Sequence, residues 1–254
     1  MLNAAGESVV VEPIAFDDLG DNEILVRLTA SGVCHTDLHV KMANGWGMAF
    51  PILLGHEGAG VVEGVGREVT SVRPRDRVVI SWRVPCGACA ICRRGDPVLC
   101  QTQRFAQPRI RRARDALYLA RVLSTGTFAT RTIVHAAQAI AVPDAIPLEK
   151  ACLIACGVAT GVGAALNTAK IRRGSRVAVI GCGAVGLSVV QGARIAGADR
   201  IVAVDLTPQK LEWARQFGAT DTVDARGGDP VEAARAAAGG PLDYAFEVLS
   251  LIHI

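Results

Sequence analysis

Four cysteines fall within one short stretch of the chain, with the spacing Cys-x2-Cys-x2-Cys-x7-Cys. Thiols this close together are poorly placed to pair with one another, but they can converge as four thiolates on one tetrahedral ion, which favours zinc. Buried or disulfide-bonded cysteines are the alternative, and the compact spacing argues against it. Because four protein ligands leave no open position, we predict a structural zinc site. Its ligands would be Cys86, Cys89, Cys92 and Cys100.

A second group of reactive side chains lies nearer the N-terminus. The segment Cys34-His-Thr-Asp-Leu-His39 carries two imidazoles, a thiol, a hydroxyl and a carboxylate. Taken alone, it is equally consistent with an ordinary polar turn. His56 and Glu57 follow in a stretch dense in glycine, which implies close backbone approach and leaves His56 little apolar packing. Both segments are therefore candidates for a metal or catalytic site.

A third motif, Gly181-Cys-Gly183-Ala-Val-Gly186, follows a strand-like run and precedes a helical one. This context is typical of a dinucleotide-binding turn, in which the first glycine makes the turn, the second admits the pyrophosphate and the third lets helix and strand pack closely. Asp205 ends the next strand-like segment, where a carboxylate would bind the adenosine ribose and repel a 2′-phosphate. We therefore predict NAD rather than NADP. An apolar βαβ unit without a ligand is the alternative.

The order of strand-like and helix-like segments predicts an all-β part followed by an α/β part. Short runs rich in β-branched residues alternate with turn residues at first, whereas Ala, Gly and small aliphatic residues dominate from Pro147 onward. A helix is predicted from Pro147 to about Asn167, with the proline in its first turn. Strands are predicted at 8–14, 23–30, 69–80 and within 125–142.

Residues 109–121 contain five arginines and one aspartate and have the local character of a basic helix. Three interpretations remain open: a solvated surface helix or loop, a recognition helix for an acidic partner, and a short piece of gene read out of frame. Outside this segment the chain is nearly neutral, so no general basic face for nucleic acid is predicted.

Composition limits the classes of protein that fit. Half of the residues are hydrophobic but only 4% are aromatic, so aliphatic side chains and alanine must build the core. No apolar run is long enough to span a bilayer, and the first residues lack the basic and apolar regions of a signal peptide. The eight cysteines fit reduced, metal-binding thiols better than disulfides. We predict a cytoplasmic protein with no membrane or nucleic-acid partner.

Three motifs together resemble the zinc-dependent medium-chain alcohol dehydrogenases. They are the cysteine lobe, the signature Gly55-His-Glu-x2-Gly60-x5-Gly66-x2-Val69 and the glycine turn of the later α/β part. The sequence looks nearest to the thiol-dependent formaldehyde dehydrogenase and aryl-alcohol dehydrogenase branch. The resemblance runs from about residue 8 to 248, apart from 104–122. It implies an α/β plus β fold: a GroES-like, β-rich catalytic domain at 1–157, with the structural zinc lobe at 86–100, and a Rossmann doubly wound parallel sheet at 158–248.

The resemblance also implies a catalytic zinc bound by Cys34, His56 and Cys156. Three protein ligands of this kind leave one tetrahedral position open for a substrate. Asp37 and Glu57 would lie just outside the ligand set, where a carboxylate orients a ligating histidine. The chain would then bind two zinc ions, one catalytic and one structural.

The implied reaction is hydride transfer from an alcohol to NAD. Thr36 would take the alcohol proton, and His39 would pass it to solvent. The family pattern places further residues around the cofactor, with the glycine turn at the pyrophosphate. The implied cofactor contacts are His35, Thr160, Gly181, Gly183, Val185, Gly186, Asp205 and Lys210.

We expect the substrate to be a primary alcohol or the S-hydroxymethyl adduct of a thiol, and the parent protein to be a homodimer or homotetramer. Two alternatives stand: an inactive fragment that binds zinc and nucleotide, and a quinone reductase-like protein without zinc. Only four of the six strands of a complete dinucleotide domain are recognisable. We therefore expect a truncated Rossmann domain, with residues 249–254 as a non-native tail. The recognisable strands lie at 176–180, 201–205, about 221–224 and 242–247.

Overall fold

The computed structural model describes residues 1–42, 47–102 and 105–249. The chain divides into two compact units, Met1–Cys156 and a second unit that begins at Gly157. Each unit has its own sheet and its own hydrophobic clusters. Most of the tail expected at 249–254 lies outside the described residues.

The first unit is built on a five-stranded antiparallel sheet. The strands of this unit are β1 (Ile14–Phe16), β2 (Glu23–Gly32), β3 (Ile52–Leu53), β4 (Glu57–Val65), β5 (Arg77–Ile80), β6 (Ile110–Arg112), β7 (Ala120–Arg121), β8 (Arg131–His135) and β9 (Ala139–Ala141). The large sheet has the order β8-β2-β4-β5-β9, while β1 pairs with β6 and β3 with β7. Ile24 and Val26 alternate along β2 and are buried, because side chains two apart on a strand face the same side.

Three short helices belong to the first unit, and the first of them carries a group of polar side chains. They are α1 (His35–Met42), α2 (Ala90–Arg93) and α3 (Leu148–Ala151). A 3₁₀ turn at Pro97–Leu99 completes the cysteine lobe. Helix α1 follows β2 directly, so the end of that strand sets the position of the polar segment that begins at Cys34.

Two of the predicted strands are shorter than the sequence indicates. The strand predicted at 23–30 is confirmed as β2, but residues 8–13 form no regular strand and β1 begins only at Ile14. Similarly, only the last part of 69–80 forms β5. Pro74 precedes this strand, and Arg75 has φ +81°, which takes the backbone out of the extended region.

The basic stretch 109–121 has the local character of a helix but forms no helix in the structure. The segment forms β6 and β7 and the bridge Arg111–Tyr118 instead. Pairing with β1 and ion pairs override the local helical propensity. Each arginine finds its own acceptor within the fold, so the segment offers no free basic helix. The contacts are Arg109–Glu23, Arg111–Asp17, Arg112–Asp115, Arg114–Glu12 and a hydrogen bond from Arg121 to the Ala106 carbonyl.

The long helix predicted from Pro147 to Asn167 is interrupted at Cys156. Helix α3 continues as a 3₁₀ turn through Cys152–Ala155, and then Cys156 adopts φ −140° and ψ −77°. A new helix starts at Gly157 and ends in a π-type turn at Ala164–Thr168. Because Cys156 does not continue the helix, its side chain is not confined to the helical register of Cys152.

The second unit is a four-stranded parallel sheet with helices between its strands. The elements are α4 (Gly157–Gly163), β10 (Arg176–Ile180), α5 (Ala184–Ala196), β11 (Arg200–Asp205), α6 (Pro208–Phe217), β12 (Asp221–Asp224), α7 (Pro230–Ala238) and β13 (Tyr244–Glu247). The strand order is β12-β11-β10-β13. This is the 3-2-1-4 order of a dinucleotide-binding fold, and it confirms the predicted Rossmann class.

Among the described residues, no single helix is both long enough and apolar enough to cross a membrane. One bent pair, Leu148–Ala155 with Gly157–Thr168, meets that test only when its two segments are taken together.

The glycine turn between β10 and α5 has almost no free space at one position and ample space at another. A Cβ on Gly186 would lie 1.8 Å from the Gly181 carbonyl oxygen, whereas a Cβ on Gly183 would meet nothing within 4 Å. Gly181 has φ +98°, a conformation that favours glycine. The turn therefore needs Gly181 and Gly186 in order to fold, and it does not need Gly183.

We predict that Gly186→Ala lowers the free energy of unfolding of the second unit by about 1–3 kcal/mol or more, because a backbone oxygen must move to admit the methyl group. Urea denaturation measures the change. Gly183→Ala is the matched control and should change stability by less than about 0.5 kcal/mol. Equal effects of the two substitutions would contradict the packing described here.

Candidate metal and nucleotide sites

The four cysteines of the lobe converge around one point. The Sγ atoms of Cys86 and Cys92 are 4.0 Å apart, as are those of Cys89 and Cys100. All four sulfurs lie within 4.8 Å of one another, and all are free thiols. Sulfurs on a tetrahedral zinc with Zn–S bonds of about 2.3 Å would lie about 3.8 Å apart. The geometry fits a zinc ion with four thiolate ligands.

Backbone amides of the lobe point at the sulfurs. The amide of Cys86 donates to the Cys100 sulfur at 3.3 Å, and the amide of Cys89 donates to the Cys86 sulfur at 3.3 Å. Amides of Ala88 and Cys89 lower the pKa of Cys86 to about 6. Burial, followed by the neighbouring Cys89 and Cys100, raises the pKa of Cys92 to about 12. Neighbouring thiols thus compete for protons, and a divalent cation removes that competition by replacing the protons.

A second group of donors meets in the first unit. Donor atoms of Cys34, His56, Glu57 and Cys156 all lie within 4.8 Å of one another. The structure therefore brings the three predicted ligands of the catalytic zinc together, and it adds the Glu57 carboxylate to them. Glu57 was expected just outside the ligand set. Two thiols, an imidazole and a carboxylate are all suitable zinc donors.

His56 is presented by a tight turn that the surrounding chain holds from both sides. Gly55 has φ +89°, its N–H donates to Asp37 Oδ1 at 2.8 Å, and its carbonyl accepts from the Thr127 amide at 2.9 Å. The Thr125 hydroxyl donates to the same carbonyl at 3.1 Å. A Cβ on Gly55 would come within 2.5 Å of Phe128. The turn fixes the backbone on which His56 depends.

The imidazole of His56 is fully buried, and neither of its ring nitrogens has a hydrogen-bond partner among the described residues. Its Nδ1 lies 3.6 Å from Asp37 Oδ2, which is an ion-pair distance and too long for a hydrogen bond. Unpaired buried polar atoms cost about 1–3 kcal/mol each, so they call for an explanation. A metal ion bound to one ring nitrogen would supply it, while Asp37 lies on the Nδ1 side of the ring. The residues present fit zinc.

Electrostatics in this cluster favour a cation. The neighbouring Cys156 thiol and His56 ring hold the pKa of Cys34 at about 3. The Cys34 thiolate, burial and the Glu57 carboxylate raise the pKa of Cys156. Burial lowers the pKa of His56, but Asp37 and Cys34 outweigh it and raise that pKa to about 9. The site accumulates negative charge that protons offset only in part.

The polar residues of α1 lie beside this cluster. Asp37 is buried, Thr36 and His39 are half-buried and His35 is exposed. The rings of His35 and His39 stack with their centroids 4.6 Å apart. Thr36 and His39 are three residues apart and therefore share one face of the helix. Their predicted role in proton transfer stays a prediction.

In the second unit, Asp205 is tied to the glycine turn. Its Oδ2 accepts from the Cys182 amide at 2.8 Å and its Oδ1 accepts from the Thr207 amide at 2.8 Å. Burial opposes ionisation of Asp205, but these amides and nearby Lys210 keep its pKa below the usual value. Each carboxylate oxygen has a second lone pair, so a ribose hydroxyl remains an acceptable partner. The carboxylate therefore both shapes the turn and stays charged.

The remaining predicted cofactor contacts lie on α4, α5 and α6. Thr160 is exposed on α4, and Val185 is half-buried in the first turn of α5. A Cβ on Gly161 would lie 2.4 Å from the Val185 carbonyl oxygen, so these two helices cross closely there. Lys210 is close enough to Asp205 to lower its pKa. Their predicted roles at the cofactor stay predictions.

Sequence reasoning missed the residues that support the His56 turn. Thr125, Thr127 and Thr132 are buried, and the Thr132 hydroxyl donates to the Thr125 carbonyl at 2.6 Å. Ser31 and Thr127 hydroxyls are 2.7 Å apart. Threonines in a β-rich segment look like ordinary strand formers, so only their placement about 70 residues beyond Gly55 reveals the contact.

Comparisons with known proteins agree with this architecture. An alcohol dehydrogenase GroES-like domain model matches residues 20–144, and a zinc-binding dehydrogenase model matches residues 184–252. An alcohol dehydrogenase zinc-binding domain protein from Burkholderia ambifaria is 38% identical, with a TM-score of 0.89 over 98% of this chain and 69% of its own. Benzyl alcohol dehydrogenase from Acinetobacter calcoaceticus is 30% identical, with a TM-score of 0.84 over 96% of this chain and 68% of its own.

S-(hydroxymethyl)glutathione dehydrogenase of Saccharomyces cerevisiae is 38% identical over 96% of this chain and 66% of its own length. The enzyme of that name in Escherichia coli O1:K1 is 43% identical over 80% of this chain and 57% of its own length. The chain thus spans roughly three fifths to two thirds of the length of these curated relatives. It belongs to the zinc-dependent medium-chain alcohol dehydrogenase family, which confirms the resemblance seen in the sequence.

We predict that Cys100→Ser lowers the zinc content from two ions per chain to one, because the lobe loses one of its four thiolate ligands. Elemental analysis of the dialysed protein measures the content. The control is Cys182→Ala, which removes a buried thiol that belongs to neither cluster and should leave two ions bound. Two ions in Cys100→Ser would show that the lobe does not hold zinc through Cys100.

Proposed function

We propose that the chain carries the zinc- and NAD-dependent dehydrogenase chemistry of its family. The substrate would be a primary alcohol or the S-hydroxymethyl adduct of a thiol, oxidised to the aldehyde level or beyond. The observation that carries the proposal is the fully buried His56, whose unpaired ring nitrogens lie within a convergent set of Cys34, Glu57 and Cys156. The names of the relatives support both substrate classes.

The donor set would hold a catalytic zinc through Cys34, His56 and Cys156. When bound there, zinc would act as a Lewis acid that makes an alcohol hydroxyl more acidic, while NAD would accept the hydride. Asp37 orients His56 from behind and fixes the Gly55 turn through the same carboxylate. If Glu57 completes the set, no position is left for an alcohol, so turnover requires that carboxylate to move away.

Residues of α1 would then handle the proton. Thr36 Oγ1 would accept the hydroxyl proton, and His39, on the same face of the helix, would receive it next. His39 is half-buried, and its ring stacks on the exposed His35. The helix thus offers a route from the interior of the first unit to solvent.

The second unit would bind NAD through its backbone. The amides at the start of α5 would attract the pyrophosphate, and Gly183 leaves open space at the start of this helix. The Asp205 carboxylate would accept from the ribose hydroxyls and repel a 2′-phosphate, which favours NAD over NADP. These contacts are our proposal for the cofactor site.

The proposal is tested with the purified chain, loaded with zinc and mixed with NAD and benzyl alcohol, while NADH absorbance is recorded. NADH formation supports the dehydrogenase. Binding of zinc and NAD without turnover would favour the alternative of an inactive binding fragment. A chain that retains no zinc would favour the quinone reductase-like alternative.

We expect His56→Asn to abolish the zinc bound at this site and to reduce NADH formation by more than about 100-fold, because loss of a group outside the ligand set already costs about 10–100-fold. The matched control is His135→Asn, since His135 caps a 3₁₀ turn through an acceptor that asparagine also offers. Activity of His56→Asn equal to that of the control would exclude His56 as a ligand.

Gly183→Ala tests the nucleotide site separately. Because its Cβ points into open space, the variant should fold normally, but the methyl group would occupy room that the pyrophosphate needs. We predict an NAD affinity lower by about tenfold or more, equivalent to about 1.4 kcal/mol, in titration calorimetry. Gly163→Ala, whose Cβ approaches only Asn167 at 3.9 Å, should bind NAD as the parent chain does.

A further inference from the structure

The end of β2 is built around the side chain of Glu57. Gly32 lies directly opposite Glu57 in the antiparallel pairing of β2 with β4. A Cβ placed on Gly32 would lie 2.0 Å from Glu57 Oε2 and 3.1 Å from both Cβ and Cδ of that residue. The Glu57 carboxylate therefore occupies the volume that any side chain at position 32 would fill.

A register irregularity creates this pairing. Leu28 pairs with Gly60, and continuing that register would place Gly32 opposite His56. The register shifts by one between Leu28 and Ala30, and this shift moves Gly32 to Glu57. Bulges of this kind re-aim side chains near functional sites, and here the re-aimed side chain is a candidate metal donor.

Gly32 differs from the other glycines of these strands in what it makes room for. A Cβ on Gly58 would meet Thr127 at 2.5 Å, and one on Gly60 would meet the Arg27 carbonyl oxygen at 2.2 Å. Glu57, the residue nearest to a Cβ on Gly32, is one of the four donors Cys34, His56, Glu57 and Cys156. Among the glycines of the described ranges, only Gly32 has one of these donors nearest to its added Cβ. Its missing side chain therefore bears on the donors directly.

We propose that Gly32 is the positioning residue that admits the Glu57 carboxylate to the donor group, so that the site can close on zinc with four protein ligands. The inference rests on the zinc site proposed above. It adds to that site a residue, Gly32, that provides no ligand atom itself. The space over Gly32 lets the Glu57 side chain fold across β2 toward Cys34, two residues farther along the chain.

The test is a double-mutant cycle of Gly32→Ala and Glu57→Ala in the full chain, with Gly64→Ala as the matched control. Gly64 lies in β4 and pairs with Leu25 of β2. Its Cβ would approach Leu19 at 3.3 Å and would not touch a donor. Zinc release to a coloured chelator is timed in each protein, and absorption spectra are recorded after cobalt substitution. The cysteine lobe, which involves neither residue, is the internal reference.

Gly32→Ala should release the zinc of this site about 10–100-fold faster and change its cobalt spectrum, while zinc in the lobe is released as before. In the Glu57→Ala background the same substitution should have a much smaller effect on both quantities, because Oε2 and Cδ are gone and only the Cβ at position 57, 3.1 Å away, remains near the new methyl group. If Gly32→Ala alone fails to fold, then folding of Gly32→Ala/Glu57→Ala with the melting temperature of Glu57→Ala also supports the inference.

Three outcomes would overturn it. The first is a Gly32→Ala protein with the zinc release and cobalt spectrum of the Gly64→Ala control. The second is an equal loss with and without Glu57, which would show a general distortion of the strand. The third is a parent chain that holds zinc only in its lobe, and that result would also remove the proposed catalytic zinc.

Discussion

The candidate metal site of the first unit depends on the placement of one imidazole ring. His56 is fully buried, and its two ring nitrogens lack hydrogen-bond partners among the described residues. The chain around it is nonetheless well satisfied: Asp37 accepts from the Gly55 amide, and Thr125 and Thr127 donate to the Gly55 carbonyl. Because both backbone groups of Gly55 are bonded while the ring is not, the unpaired nitrogens cannot be ascribed to loose packing. The ring nitrogens of His56 are therefore available as donors to a cation.

The two units offer different kinds of groups to a ligand. The first gathers anionic side chains, whose mutual repulsion a divalent cation relieves. The second uses backbone and empty space: a glycine with room in front of it, the amides of a helix start, and one carboxylate that braces the turn. A charged cluster has a low affinity for an anionic phosphate, and a backbone cradle has a low affinity for zinc.

Sequence alone could predict the elements whose signals are local. The Gly181–Gly186 turn, its flanking strand and helix, and the four-cysteine lobe all follow from residues close together along the chain. The basic stretch 109–121 has the local character of a helix but forms strands, because pairing with β1 and ion pairs to distant carboxylates decide its form. The long helix predicted after Pro147 breaks at Cys156, where φ −140° and ψ −77° take the backbone out of the helical region. The supporting threonines could not be found, since their partners lie far away in sequence.

The two candidate metal clusters differ in how far apart their ligands lie along the chain. The lobe closes a loop of fifteen residues, so its sulfurs meet at a small entropic cost and with little help from the rest of the fold. The other cluster joins Cys34 to Cys156 and depends on the pairing of β2 with β4. A slip of one residue in that pairing would turn Glu57 to the opposite face of the sheet. The register of two strands, rather than any single ligand, therefore decides whether four donors can meet, and the irregularity beside Ala30 is part of the site.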